Sequence, residues 1–111
     1  METQTLDFSH VDSLQKAEEL FRAGKLERLY VFPLEFGGQE IPQNILYVPH
    51  GIAALKARLD GTIAKMVSDG NINSYRAEPE YQGDSFIPSK IKIFAAHNEK
   101  PGAFNPTINI W

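Results

Sequence analysis

Glu78-Pro79-Glu80-Tyr81-Gln82-Gly83-Asp84-Ser85-Phe86-Ile87-Pro88-Ser89-Lys90-Ile91-Lys92-Ile93-Phe94-Ala95-Ala96 is the stretch from which the rest of the chain can be sorted. From Ser89 onward, polar Lys90 and Lys92 alternate with apolar Ile91 and Ile93, and the run then becomes wholly apolar through Phe94, Ala95 and Ala96. A period of two with one charged side describes a strand with a solvated and a buried face, running into a more protected part of a sheet. Residues 89–96 are therefore read as the central strand. The first half, bracketed by Pro79 and Pro88 with Gly83 between them, reads as a turn region. It holds Glu78, Glu80, Tyr81 and Asp84 beside the strand, and a functional edge is expected there.

Downstream, residues 97–102 form a polar turn and residues 104–111 alternate as a last strand. Upstream, residues 72–78 are strand-like and follow the clearest helical pattern of the chain. There Ile52, Leu55, Leu59, Ile63, Met66 and Val67 recur at three- and four-residue spacing, which assigns Lys56, Arg58, Asp60 and Lys65 to the solvent side. Gly61 weakens the interior of that helix by about 1 kcal/mol relative to Ala, and Gly70 ends it. Residues 44–48 make a short strand stopped by Pro49. Residues 26–32 make another, with Leu29 and Val31 on one side and Tyr30 and Phe32 on the other, so it is expected inside the sheet or covered twice. Gly37 and Gly38 mark a turn, since no Lys or helix start follows at phosphate-loop spacing.

Residues 11–23 return to a helical period, with Val11, Leu14, Ala17, Leu20 and Phe21 on one stripe, Asp12 or Ser9 as cap, and Gly24 as left-handed stop. Residues 1–10 read as a flexible arm in which Leu6 and Phe8 can pair at a sheet edge. The expected fold is a single α+β domain over residues 1–111, with a mainly antiparallel sheet of about five strands and the second helix packed on one face. Its order is helix, two strands, helix, three strands.

The 111 residues suffice for one core without disulfides, and the absence of cysteine removes thiol nucleophiles and thiolate metal sites together. No run approaches the ~20 apolar residues of a membrane span. The polar start Met1-Glu2-Thr3-Gln4-Thr5 is unlike a secretory signal, so a cytoplasmic protein is expected. Eleven Lys and Arg against fourteen Asp and Glu give a net charge of −3, which argues against nucleic acid and favours a basic partner.

Alternation assigns Ile91, Ile93, Ala95, Ile108 and Ile110 to the side covered by the second helix. The other side carries Lys90, Lys92 and Phe94, joined by Tyr30, Phe32 and Trp111. Too many large apolar groups would be exposed there on a monomer, so either the first helix covers them or Tyr30, Phe32, Phe94 and Trp111 form a subunit interface.

Chemical motifs are sparse. His10, His50 and His97 stand far apart, and no metal or cofactor is expected. Ser9, His10 and Asp12 are triad residue types without a nucleophile elbow, and read as a capping sequence. Glu78 and Glu80 share a side if a strand continues through Pro79, and with His50 they define an enzyme alternative, a small hydrolase or isomerase working beside the second helix. Otherwise they form an acidic rim with Tyr81, Asp84 and Glu35 that engages a basic protein.

Pro33-Leu34-Glu35-Phe36-Gly37-Gly38, Tyr47-Val48-Pro49 and Pro79-Glu80-Tyr81, Gly83, Ser85-Phe86, Pro88-Ser89-Lys90 together resemble the signature of a small bacterial protein family without an assigned activity. In size, charge and lack of catalytic motifs the chain is also similar in character to immunity proteins of polymorphic toxin systems. That resemblance implies a non-enzymatic protein that neutralises a basic toxin through the acidic rim, with Tyr81 as aromatic anchor.

Overall fold

The computed structural model describes residues 7–111. Its elements follow the chain as helix α1 (Leu14–Arg22), strands β1 (Glu27–Tyr30) and β2 (Ile45–Val48), helix α2 (Ile52–Ser68), and strands β3 (Ser74–Tyr81), β4 (Pro88–Ala96), β5 (Ala103–Phe104) and β6 (Thr107–Asn109). The architecture is α+β, with antiparallel strands divided between a two-stranded sheet, β1-β2, and a four-stranded sheet centred on β4.

β4 is central as its pattern predicts. One edge pairs with β3 from Ser74↔Ala96 to Tyr81↔Pro88, and the other pairs with β5 and β6. These last two lie end to end in one unbroken register, so the single expected terminal strand is interrupted only at Asn105 and Pro106. The Pro106 carbonyl accepts from the Ile93 N–H at 2.9 Å.

The turn expected to start at Pro79 begins later, because β3 runs through Pro79 to Tyr81. Two hydrogen bonds explain this. Ile93 donates toward Pro106 and the Ser89 carbonyl accepts from Ile110, so odd-numbered residues of β4 turn their amide groups to the β6 side. Pro79 lies opposite Ile91, where β4 offers no acceptor, and an edge strand tolerates a residue without N–H at such a position.

Ile91, Ile93, Ala95 and Ile108 are buried with Ile63 of α2 and with Leu29, Leu46 and Val48 of the small sheet. A second cluster gathers Val11, Ala17, Leu26, Tyr47 and Ile87 beneath α1. α1 therefore packs beside the small sheet and leaves the outer face of β3-β4 solvated. Its cap is Ser13, which accepts from the Lys16 N–H at 3.2 Å; Asp12 instead pairs with the Lys16 ammonium at 2.6 Å. Gly24 and Gly70 take the expected left-handed conformation, at φ 77° each. Of the predicted arm, residues 1–6 lie outside the described residues, whereas Phe8 is half-buried edge-on against Trp111 with ring centroids 5.9 Å apart.

Two orientations differ from the sequence reading. β1 belongs to a two-stranded sheet, so Tyr30 stays half-exposed where coverage on both sides was expected. α2 is rotated so that Lys56 and Asp60, assigned above to solvent, are 2 and 5% exposed, while Leu55 and Val67 stand 41 and 45% exposed. The residues on its buried row are Lys56, Asp60 and Ile63, one helical face at i, i+4, i+7.

Candidate functional site

Residues 82–87 connect β3 to β4 and are tied down at Gln82, Ser85, Phe86 and Ile87. Gly83 turns the backbone at φ 55°, and Ser85 N–H donates to the Gln82 carbonyl. The buried Ser85 hydroxyl donates to the Phe8 carbonyl at 2.8 Å and accepts from the Ile87 N–H at 3.1 Å. Phe86 N–H donates to the Val11 carbonyl at 2.7 Å, and Trp111 Nε1 donates to the Ile87 carbonyl at 3.0 Å. Ile87 inserts fully into the second core cluster. Alternation along this pinned segment throws its neighbour outward: Phe86 is 47% exposed, and Tyr81 at the end of β3 is 46% exposed. With Gly83, Asp84, Ser85 and Asp12, which precedes the cap of α1, they line an open hollow of about 600 Å³. Partial burial pushes the Tyr81 phenol up. No ion pair engages Asp84 among the described residues.

Of the sequence-predicted rim, the fold gathers Tyr81 and Asp84 in this hollow and distributes the rest. Glu78 and Glu80 share the outer face of β3, but Arg76 lies 2.9 Å from Glu78 and Lys92 lies 2.7 Å from Glu80. The hydrogen bond from Lys92 holds Glu80 below the usual carboxylate range and, reciprocally, raises Lys92. Glu35 sits elsewhere, beside α2. His50, at the start of α2, bonds the Gly24 carbonyl at 2.7 Å and faces Glu27 at 3.4 Å. Glu78, Glu80 and His50 therefore do not converge on one cavity. Phe86 and Asp12 join the hollow without having been singled out as partner-binding residues. The signal for Phe86 was its place beside Ile87, one facing in and one out.

The four aromatics proposed as one sheet face are also separated. Phe94 lies on the outer face of the large sheet beneath the Arg76 guanidinium, 4.5 Å from its ring centre. Phe32 packs edge-on against Tyr75 at 5.6 Å, Tyr30 OH donates to Glu40 at 3.2 Å, and Trp111 is fixed by Phe8 and Ile87. The reason is topological: β1 does not join the sheet of β4.

A second constellation lies under α2, unmarked by any motif. Lys56 Nζ donates to Asp60 Oδ2 at 2.7 Å and to the Tyr75 OH at 3.0 Å, and that hydroxyl donates to Asp60 Oδ1 at 2.8 Å. Burial pushes the Tyr75 phenol far above its ordinary value, and the bond to Asp60 and the charges of Asp60 and Glu35 add to the effect. Lys56 and Asp60 line a cavity of about 280 Å³ together with Leu29, Leu34, Glu35 and Ala57.

Among the described residues no three His, Asp or Glu side chains meet as a metal would require, and no helix is long and apolar enough to cross a membrane. No protein-family model matches the chain, and no characterised protein matches it significantly.

Proposed function

We propose that the protein is a non-enzymatic binding domain that captures a basic protein segment in the hollow lined by Tyr81, Asp84, Phe86 and Asp12. The observation that carries this reading is the pair of half-exposed aromatics, one at the end of β3 and one on the following turn, which is held by five hydrogen bonds. Large aromatics are costly to leave in water without a use, and Tyr is prominent among residues that dominate binding energy. A turn fixed beforehand loses little freedom on binding, which leaves more of the contact energy for affinity. Asp84 has no ion pair among the described residues, and its charge steers a positive partner toward the rings. Glu78 and Glu80 lie outside the lining of the hollow and are already matched by Arg76 and Lys92, so they contribute less than Asp84. Neutralisation of a basic bacterial toxin is the specific form of this role that the resemblance suggests.

Peptide display on the immobilised protein tests the proposal. Selected peptides should carry Lys or Arg beside an apolar residue and should weaken with added salt. Asp84→Lys and the double variant Tyr81→Ala, Phe86→Ala should each lower affinity roughly tenfold or more, since every 1.4 kcal/mol lost is a factor of ten. Selection of acidic or neutral peptides, or unchanged affinity in both variants, rejects it. For the toxin-neutralising form, rescue from a toxin encoded beside the gene should be lost with Asp84→Lys.

A further inference from the structure

Lys56 and Asp60 occupy the buried row of α2 while Leu55 and Val67 of the same helix face water, an inversion of the usual arrangement. Taking both charges out of water is unfavourable, and apolar side chains of similar volume generally pack such a position as well or better. Core packing therefore does not account for the pair. Positions where charge is buried against the local pattern are concentrated at functional sites.

The surroundings have the form of a small binding site. Leu29, Pro33, Leu34, Ala53 and Ala57 wall a cavity of about 280 Å³, near the bottom of the size range of ligand clefts. Lys56 has three N–H groups; Asp60 and Tyr75 take two, and the third has no protein acceptor among the described residues. Each Asp60 oxygen accepts one bond and retains capacity for another. Glu35 lines the same cavity, is exposed, and has no ion pair among the described residues. Arg28 also lines it, with its guanidinium 4.4 Å from the centre of the Phe21 ring, a contact that leaves its positive charge in place. The lining thus presents one Lys56 N–H without a protein acceptor among the described residues, and charges of both signs, the carboxylates of Asp60 and Glu35 with the cations of Lys56 and Arg28.

We propose that this cavity binds a small zwitterion of amino-acid size, its carboxylate accepting from Lys56 and its ammonium facing Asp60 and Glu35. A carboxylate without an amine would leave a net negative charge in a lining whose two carboxylates and two cations balance. An amine without a carboxylate would leave the Lys56 N–H unmet. The site is separate from the hollow at Tyr81 and Phe86 and stands without the function proposed there.

Titration of the intact ¹⁵N-labelled protein with free amino acids, each beside its matched amine and matched carboxylic acid, reads the proposal directly. At least one amino acid should give saturable shifts at Leu34, Glu35, Ala53 and Ala57, with each matched single-charge compound roughly tenfold weaker or more. Glu35→Gln, a surface change, should weaken that binding, and Ala57→Leu, which fills the mouth, should abolish it while the spectrum stays folded. No saturable shift with any amino acid, equal binding by a matched amine or acid, or undiminished binding in Ala57→Leu would each overturn the proposal.

Discussion

Replacing Lys56 by Met removes a buried ammonium and strands Asp60 with a single remaining donor, the Tyr75 hydroxyl. Breaking a buried pair from one side costs about 3–5 kcal/mol, because the remaining charge keeps its desolvation and loses its counter-charge. Asp60→Leu should cost a similar amount for the mirrored reason. Tyr75→Phe removes one donor and one acceptor from a network whose other bond survives, and should cost about 1 kcal/mol. The triple variant Lys56→Met, Asp60→Leu, Tyr75→Phe abolishes every polar group of the cluster together, and its stability should return to within roughly 1–2 kcal/mol of the parent. Urea unfolding followed by far-UV circular dichroism and by fluorescence of the single Trp111 measures all four. A domain of this size has only about 5–15 kcal/mol in total, so the single variants are best compared in a stabilised background. Single costs near 1 kcal/mol that simply add in the triple would show the pair to be solvated and would refute the reasoning.

Three other outcomes are expected. Gly61→Ala should stabilise the protein by about 0.5–1 kcal/mol, because Gly61 lies within α2 and an added Cβ would meet nothing within 4 Å; an unchanged or lowered urea midpoint would count against this. Gly38→Ala should do the opposite, since its Cβ would fall 2.0 Å from the Phe32 carbonyl oxygen, and thermal melting should show a clear loss. The Gly24 carbonyl, opposed by desolvation and aided by Glu27, raises His50 above the ordinary imidazole value of 6.5. Protonated His50 is thus favoured in the fold. Its contribution is complete below the unfolded value and fades as pH rises through the folded one, so the urea midpoint should fall more between about pH 6 and pH 9 in the parent than in His50→Gln. NMR titration of the imidazole at or below its free value would contradict this.

The central position of β4 was legible because strict alternation of Lys90, Ile91, Lys92 and Ile93 admits one buried face, and because turn signals flank it on both sides. Gly24 and Gly70 were legible because a helix end in the left-handed region favours residues without Cβ. The rotation of α2 was not. Counting apolar residues selects Ile52, Leu55, Leu59, Ile63, Met66 and Val67; Ile63 is buried and Ile52, Leu59 and Met66 pack against the core, but Leu55 and Val67 are left exposed while Lys56 and Asp60 take the other buried places. What decides between them is Tyr75, whose hydroxyl completes the cluster from a different strand and has no local signature. The hollow was half legible for a related reason. Tyr81 and Asp84 lie in the marked stretch, but Asp12 reaches it only because Phe8 and Val11 are hydrogen-bonded to Ser85 and Phe86.

The outer margin of β3 has a bearing on how any partner can approach. Among the described residues no strand lies beyond it, yet Pro79 interrupts the row of amide donors midway along, and Arg76, Glu78 and Glu80 place charge on either side. A visiting chain that tried to extend the sheet by hydrogen bonding would lose its pairing halfway and bring its own side chains onto fixed charges. Growth into fibrils from this margin is blocked by the same feature. At this margin recognition is thereby left to side chains, and not to main-chain templating.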